Sequence, residues 1–219
     1  MRIYITGIRG QLGAALRLSL DGHTVEGGDL PDWDMTDRGQ VLETFEAFRP
    51  DAVVHAAALT AVDYCAEHPR EAVRINGVGT YNVAAATEAV GALLVAISTN
   101  EVFDGLAQAP YQEYDPRHPV NAYGYSKFVA EQVAEKLCSR TMIVRTAWLY
   151  AQGGTNFIHK MLARSKAGQT SKVVTDEVSS PTYAADLADG LRKLIEIGGR
   201  GIFHLVNEGA CSRFEFAQE

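Results

Sequence analysis

Cysteine is scarce in this sequence. Only Cys65, Cys138 and Cys211 occur in 219 residues, odd in number and without C-x-x-C spacing. That pattern excludes a disulfide framework and a thiolate metal site, and it suits a reducing compartment. The six histidines never fall at ligand spacing on one element, so no metal site is expected. Positive charge is short as well: 20 Lys and Arg stand against 27 Asp and Glu, a net charge of −7. With no basic stripe to neutralise a phosphate backbone, no nucleic-acid partner is expected. Long apolar runs and a signal segment are missing, so we expect no membrane partner and a cytoplasmic protein. Repeats are missing too. What remains is an ordinary globular composition, 47% hydrophobic and 21% charged, with length for one domain or slightly more.

The chain is organised around its first fifteen residues. Arg2 to Thr6 reads as a short buried strand, Gly7-Ile8-Arg9-Gly10-Gln11-Leu12-Gly13 follows at once, and Ala14 to Leu18 continues as a helix. Strand, glycine turn and helix form the context a dinucleotide fingerprint needs. Gly7 permits the tight turn, Gly10 lets the backbone approach a pyrophosphate, and Gly13 lets helix and strand pack closely. The helix N-terminus offers free N–H groups and a positive dipole end to the phosphates. The G-x-x-G-x-x-G spacing points to the short-chain dehydrogenase branch of such folds.

A second strand, His23 to Glu26, runs toward Asp29, an acid placed to accept the adenine-ribose hydroxyls of NAD. Arg9 could instead pair with the extra phosphate of NADP, so the choice between the two cofactors stays open. Asp34 and Met35 lie where a loop could cover the adenine. Gln40 to Phe48 has helical spacing, and Asp51 to Ala57 reads as a central parallel strand. Ala58 to Asp63 is a small-residue loop at a carboxyl strand end. Pro69 to Val90 is a long helical pattern with Asn76 inside, read as capping or packing. Strands at Ala92–Ile97 and Thr141–Arg145 flank a Pro- and Tyr-rich loop and an amphipathic helix ending at Leu137. Beyond Gly153 a helix (Asn156 to Lys166), a short strand near Val173-Val174, a loop from Asp176 to Pro181, a helix (Ala184 to Ile197) and a strand (Ile202 to Val206) are expected. Ser212 to Glu215 forms a capping box. It announces a helix four residues before the last one, so a truncated chain is expected.

Alternating strands and helices predict an α/β Rossmann-type, doubly wound parallel sheet. Residues 1–152 would be the NAD(P)-binding domain, and 153–219 a small, partial substrate-binding lobe interleaved with the sheet.

Tyr123 and Lys127 form Y-x-x-x-K at the start of the helix after the fourth strand. On a helix, i and i+4 share a face. An ammonium there favours the phenolate of a tyrosine whose free pKa is about 10. Such a tyrosine can exchange a proton with a substrate oxygen while hydride moves to or from nicotinamide. Thr99, at the end of the fourth strand, can donate a hydrogen bond to that oxygen. Tyr125 is in the wrong register and is expected to pack.

With these blocks in hand, the chain resembles an extended short-chain dehydrogenase/reductase, and within that family the dTDP-4-dehydrorhamnose reductases. The matching blocks are Gly7 to Gly13 with Gln11 inside, Ala56 to Asp63, Ser98-Thr99-x-x-Val102-Phe103-x-Gly105, Tyr123 with Lys127, Arg145-Thr146-x-Trp148-x-Tyr150, and Ser180 to Tyr183. The resemblance implies Thr99, Tyr123 and Lys127 as the catalytic set. It implies cofactor contacts at Gly7, Gly10, Gln11, Leu12, Gly13, Asp29, Asp34, Met35, Ala58, Leu59, Thr60, Tyr123 and Lys127, with NADPH or NADH as cofactor. Thr99, Asn100 and Trp148 would face a sugar nucleotide, though Trp148 reads equally well as core. A homodimer is left open. Two departures stand out: Asn100-Glu101 replaces the family's usual Asp-Tyr, and the family runs several dozen residues further. The implied activity is reduction of a 4-keto-6-deoxy sugar nucleotide. Alternatives are a sugar-nucleotide dehydratase or epimerase, and a non-catalytic NADP-binding subunit like the regulatory subunit of methionine adenosyltransferase.

Overall fold

Hydrophobic residues on the central strands go to opposite faces in turn, and both faces are covered. Tyr4, Val53, Leu94 and Ile143 enter one core, while Ile3, Ile5, Val54, Val95 and Val144 enter the other. A strand buried on both sides must be apolar at every position, which is why these runs do not alternate with polar residues. The structure, a computed structural model, describes residues 1–153 and 156–219.

In chain order the elements begin with β1 (Arg2–Thr6), α1 (Gln11–Ser19), β2 (Thr24–Gly28), α2 (Arg38–Phe48), β3 (Ala52–His55) and α3 (Val62–Glu67). Next come α4 (Pro69–Ala72), a π-helical turn (Val73–Val78), α5 (Gly79–Ala89), β4 (Leu93–Thr99), a 3₁₀ turn (Asn100–Val102), α6 (Ala122–Leu137) and β5 (Thr141–Thr146). The remainder is β6 (Leu149–Tyr150), α7 (Phe157–Lys166), β7 (Val178–Ser179), β8 (Thr182–Tyr183), α8 (Ala184–Glu196), β9 (Gly201–His204), β10 (Cys211–Ser212) and α9 (Arg213–Gln218).

Six parallel strands make the main sheet in the order β2-β1-β3-β4-β5-β9. Residues of α2, α5 and α6 cover the Tyr4 face, and α1 and α8 cover the other. From β1 the chain moves outward to β2 and then returns to the far side as β3, so the order reverses there. In such sheets the crevice at the carboxyl ends beside that reversal is the ligand position. Thr6, His55, Thr99 and Thr146 end the four strands around it.

Several expected elements differ. The pattern from Pro69 to Val90 is one helical run interrupted by the π-helical turn. No strand forms at Val173-Val174: Val174 is half exposed, and the pairing strand is Val178–Ser179, hydrogen-bonded to β10 inside the expected loop. A pair of valines without a neighbouring ladder does not make a strand. β9 ends at His204, before an exposed Val206. Tyr125, expected to pack, is 52% exposed, because its position on α6 faces outward while Gly124, Ser126 and Lys127 are buried. The capping box is present, with Ser212 and Glu215 bonded reciprocally. Among the described residues no helix is long and apolar enough to cross a membrane, and no group of His, Cys, Asp and Glu could hold a metal ion.

Candidate active site

The carboxyl ends of β1, β3, β4 and β5 open into a cavity of about 830 Å³. One wall is the glycine turn. Gly7 has φ +74° and lies against β3's exit, where an added Cβ would come within 2.8 Å of Ala57 N. A Cβ on Gly13 would collide with the Gly7 carbonyl oxygen and lie 2.6 Å from Ile8 Cα. Gly10 is the N-cap of α1; no side chain caps that end and no acid sits in its first turn. The first N–H groups of α1 therefore face the cavity mouth free, with the dipole's positive end behind them. This cradle fits the diphosphate of a dinucleotide.

Behind the turn lies a chain of buried hydrogen bonds that the sequence did not reveal. Thr80 Oγ1 donates to Asn76 O at 2.6 Å, so its oxygen must accept from His55 Nε2 at 2.9 Å. That leaves His55 Nδ1 as the acceptor of the Thr6 hydroxyl at 2.8 Å, and Thr6 Oγ1 accepts from Ala57 N at 3.1 Å. His55 is thus a neutral Nε2–H tautomer, fixed by its partners. Burial, with the Lys127 charge nearby, pushes its pKa down to about 3. The Asn76 side chain accepts from Leu59 N at 2.7 Å and donates to Leu59 O at 3.0 Å and to Ser126 Oγ at 2.8 Å. Ser126 in turn donates to Tyr123 O at 2.7 Å. The network ties β1, β3, the loop after β3 and the start of α6 together. The signals of it in the sequence were a lone polar residue inside an apolar strand, His55, and Asn76 inside a helical pattern.

α6 starts at its N-cap Asn121, whose Oδ1 accepts from Gly124 N at 2.7 Å and whose amide donates to Glu101 Oε2 at 2.7 Å. Gly124 is required there, since a Cβ would collide with the Glu101 carbonyl oxygen. This close approach sets Tyr123 in the cavity that Thr99 also lines, where the Thr99 hydroxyl favours the ionised form of the phenol. Thr99 Oγ1 also accepts from Glu101 N at 3.2 Å and donates to Asn100 Oδ1 at 3.3 Å. Tyr123, Thr99, Asn100 and Lys127 all line the cavity.

The expected phenolate is not favoured. Burial, with the Glu101 charge adding to it, pushes the Tyr123 pKa up to about 12, against a smaller opposite effect of Thr99. Lys127 is 4% exposed, and burial pushes its pKa down to about 8 against the attraction of Glu131. Desolvation disfavours the charged form of both groups and outweighs their placement on one helix face. Near neutral pH the pair is a neutral phenol and an ammonium. Glu131, one turn beyond Lys127, is itself held by Arg145 (2.9 and 2.8 Å), by Arg117 (2.9 Å) and by Ser98, and these partners keep its pKa below the usual carboxylate range despite its burial.

Of the other expected contacts, Gly7, Gly10, Gln11, Leu12, Gly13, Ala58, Thr60 and Trp148 line the cavity. Leu59, Asp29, Asp34 and Met35 do not line it. The backbone of Leu59 is occupied by Asn76. Met35 is buried in the core against Gly79, and Asp34 closes a turn by accepting from Thr36 N and Oγ1 at 2.8 and 2.9 Å. Asp29 accepts from Arg9 N at 3.0 Å, while the Arg9 guanidinium binds Asp32 and, at 3.2 Å, Leu30 O. Trp148 is half-buried with φ +44°, and the Arg213 guanidinium lies 3.6 Å from its ring centroid. On the opposite side of the turn, Asn156 donates to Gln11 Oε1 at 3.0 Å. Among the described residues, Thr146 Oγ1 is the buried side-chain polar atom without a partner, and Thr146 lines the same cavity. Nothing in the sequence pattern gave Thr146 a role.

Comparison with known proteins agrees with this geometry. The chain is 38% identical over 218 residues to the spore coat polysaccharide biosynthesis protein SpsK of Bacillus subtilis, covering 99% of this chain and 77% of that protein. It is 39% identical over 226 residues to dTDP-4-dehydrorhamnose reductase of Streptomyces griseus, covering 100% of this chain and 74% of that protein. The crystal structure of dTDP-4-dehydrorhamnose reductase from Bacillus anthracis in complex with NADP superposes with a TM-score of 0.95 at 40% identity, covering 99% of this chain and 78% of that one. The family model described as RmlD substrate binding domain matches residues 1–219. A parallel sheet with a glycine turn at its switch point, and relatives alike along the whole chain, make this protein a member of the RmlD substrate binding domain family.

Proposed function

We propose that the protein reduces the keto group of a 4-keto-6-deoxy sugar nucleotide with NADPH or NADH. One observation carries the reading: Thr99, Tyr123 and Lys127 meet in the cavity that the glycine turn opens into. The relatives named dTDP-4-dehydrorhamnose reductase support the substrate class, and the relative crystallised with NADP supports the cofactor. Gly7, Gly10 and the first N–H groups of α1 would hold the cofactor's diphosphate, with Gln11, Leu12, Ala58 and Thr60 beside it. When bound, the reduced nicotinamide supplies the hydride.

The chain's own residues supply the proton. Tyr123 stays a phenol through neutral pH, so its hydroxyl is a proton donor to the substrate oxygen. Thr99 hydrogen-bonds the same oxygen and stabilises the charge that develops there. Lys127 is a cation beside the phenol, and it stabilises the phenolate left after proton transfer. Asn100 provides an amide where elimination would need an acid, and an amide cannot protonate a leaving hydroxyl. This favours reduction over dehydration.

We further propose the division at residues 152 and 153, a cytoplasmic location, and a homodimer as the arrangement to be checked by sedimentation. The test of the main reading is direct. Purified protein should consume NADPH or NADH with a dTDP-4-keto-6-deoxy sugar and should not dehydrate dTDP-glucose. Dehydration without net consumption of cofactor would overturn the reductase assignment. Cofactor binding with no turnover of any keto sugar would favour the regulatory-subunit reading.

A further inference from the structure

The protein carries a net charge of −7, yet the cavity is lined by four basic side chains, Arg9, Lys127, Lys160 and Arg213, against Asp63 and Glu101. Three of the four have other positions or partners. Arg9 is paired with Asp32, and Lys127 is buried on α6, one turn after Tyr123. Lys160 lies one turn along α7 from Asn156, whose amide reaches Gln11 on the glycine-turn side. Arg213 stands apart from that side, at the start of α9.

Its place is set by stacking. The guanidinium lies 3.6 Å from the centroid of Trp148 and 5.1 Å from that of Phe157. Phe216, one turn along α9, stacks on both rings. Glu177, largely exposed, reaches Nε at 3.5 Å, and among the described residues the two terminal nitrogens have no hydrogen-bond partner. Glu101 and Thr99 line the same cavity as Arg213, and the Glu101 charge acts on the guanidinium through space.

A second, independent observation marks the same wall as a ligand position. Thr146 is 8% exposed, lines the cavity and has no hydrogen-bond partner for its hydroxyl among the described residues. It pairs in register with Thr99 across β4 and β5 and lies two residues before Trp148. A buried hydroxyl in this state calls for a polar ligand group. A ligand that satisfies Thr146 with a sugar oxygen and extends along Trp148 would bring its next group toward Arg213.

We propose that Arg213, stacked on Trp148, binds the diphosphate of the sugar nucleotide and makes the site selective for a charged, phosphorylated sugar carrier. Arginine suits this role, because its planar fork meets phosphate oxygens with two parallel hydrogen bonds while its flat face stacks on the indole. The inference rests on the sugar-nucleotide reading.

The proposal is tested by calorimetry on the NADP-saturated protein with dTDP and with uncharged thymidine. Charged hydrogen bonds lost with the guanidinium correspond to a weakening of roughly 10–100-fold. Arg213→Gln, which keeps a stem over Trp148, should lose that much dTDP affinity while thymidine and NADPH affinities stay within about twofold. Arg213→Lys should recover part of the loss, and the salt dependence of dTDP binding should be shallower in Arg213→Gln than in the wild type. Unchanged dTDP affinity in Arg213→Gln would overturn the proposal, as would equal losses for dTDP and thymidine. A wild-type protein that binds NADPH and no dTDP would instead overturn the sugar-nucleotide reading on which it stands.

Discussion

His55 offers a quantitative test of the buried network. It is 1% exposed and bonded on both nitrogens, and its pKa is pushed from 6.5 down to about 3. The sign follows from the tautomer. The folded protein needs the neutral ring, while the unfolded chain takes a proton near pH 6.5, so stability is full above that pH and falls as the pH drops toward 3. The loss at pH 5 relative to pH 8 is about 2 kcal/mol for one such group. In a protein of this size that lowers Tm by roughly 4–8 °C. Carboxylates with lowered pKa, such as Glu131 and Glu113, lose their contribution only nearer their ordinary range of about 4.3, so they matter less at pH 5. His204, half-buried and also lowered, adds a part common to wild type and variant. The substitution is His55→Gln, whose amide can donate toward Thr80 and accept from Thr6 without titrating. Thermal melts at pH 8 and pH 5 should show a large drop for the wild type and a much smaller one for the variant. An equal drop in both proteins would refute the reasoning. So would a nitrogen NMR titration in which the His55 ring becomes charged above pH 5.

Three further outcomes are expected. Tyr123→Phe removes the proton donor and little else, so turnover should fall by roughly 10²–10⁴ with NADPH affinity nearly unchanged; near-normal turnover would move the chemistry elsewhere. Because Lys127 loses its proton at about pH 8 while Tyr123 keeps its own to about pH 12, kcat/KM should decline above pH 8 from loss of the Lys127 cation. A profile that stays flat to pH 10 would contradict this. Gly13→Val should abolish dinucleotide binding and lower Tm, since its Cβ would overlap the Gly7 carbonyl; binding retained at wild-type strength would show that the turn adapts.

Much of the fold was written locally. The strand–glycine–helix opening, the apolar strands buried on both faces, the Tyr123–Lys127 spacing and the Ser212 capping box depend on residues within a few positions of each other. Near neighbours suffice to set such features. Weak local signals misled in the same terms: Val173-Val174 looked like a strand without a partner to pair with, and Tyr125 looked like a packing residue on what is an outward face. What only the tertiary structure decided are contacts between residues far apart in the chain. His55 meets Thr6 and Thr80 across 49 and 25 positions, and Arg213 lies over Trp148 from another element. The protonation of the site belongs to the same class. Sequence spacing suggested a tyrosine eased toward phenolate by its lysine, but burial, which depends on the whole packed molecule, pushes Tyr123 up and Lys127 down. Spacing along one helix determines which groups are neighbours; the desolvation imposed by every surrounding element determines which of them carry charge.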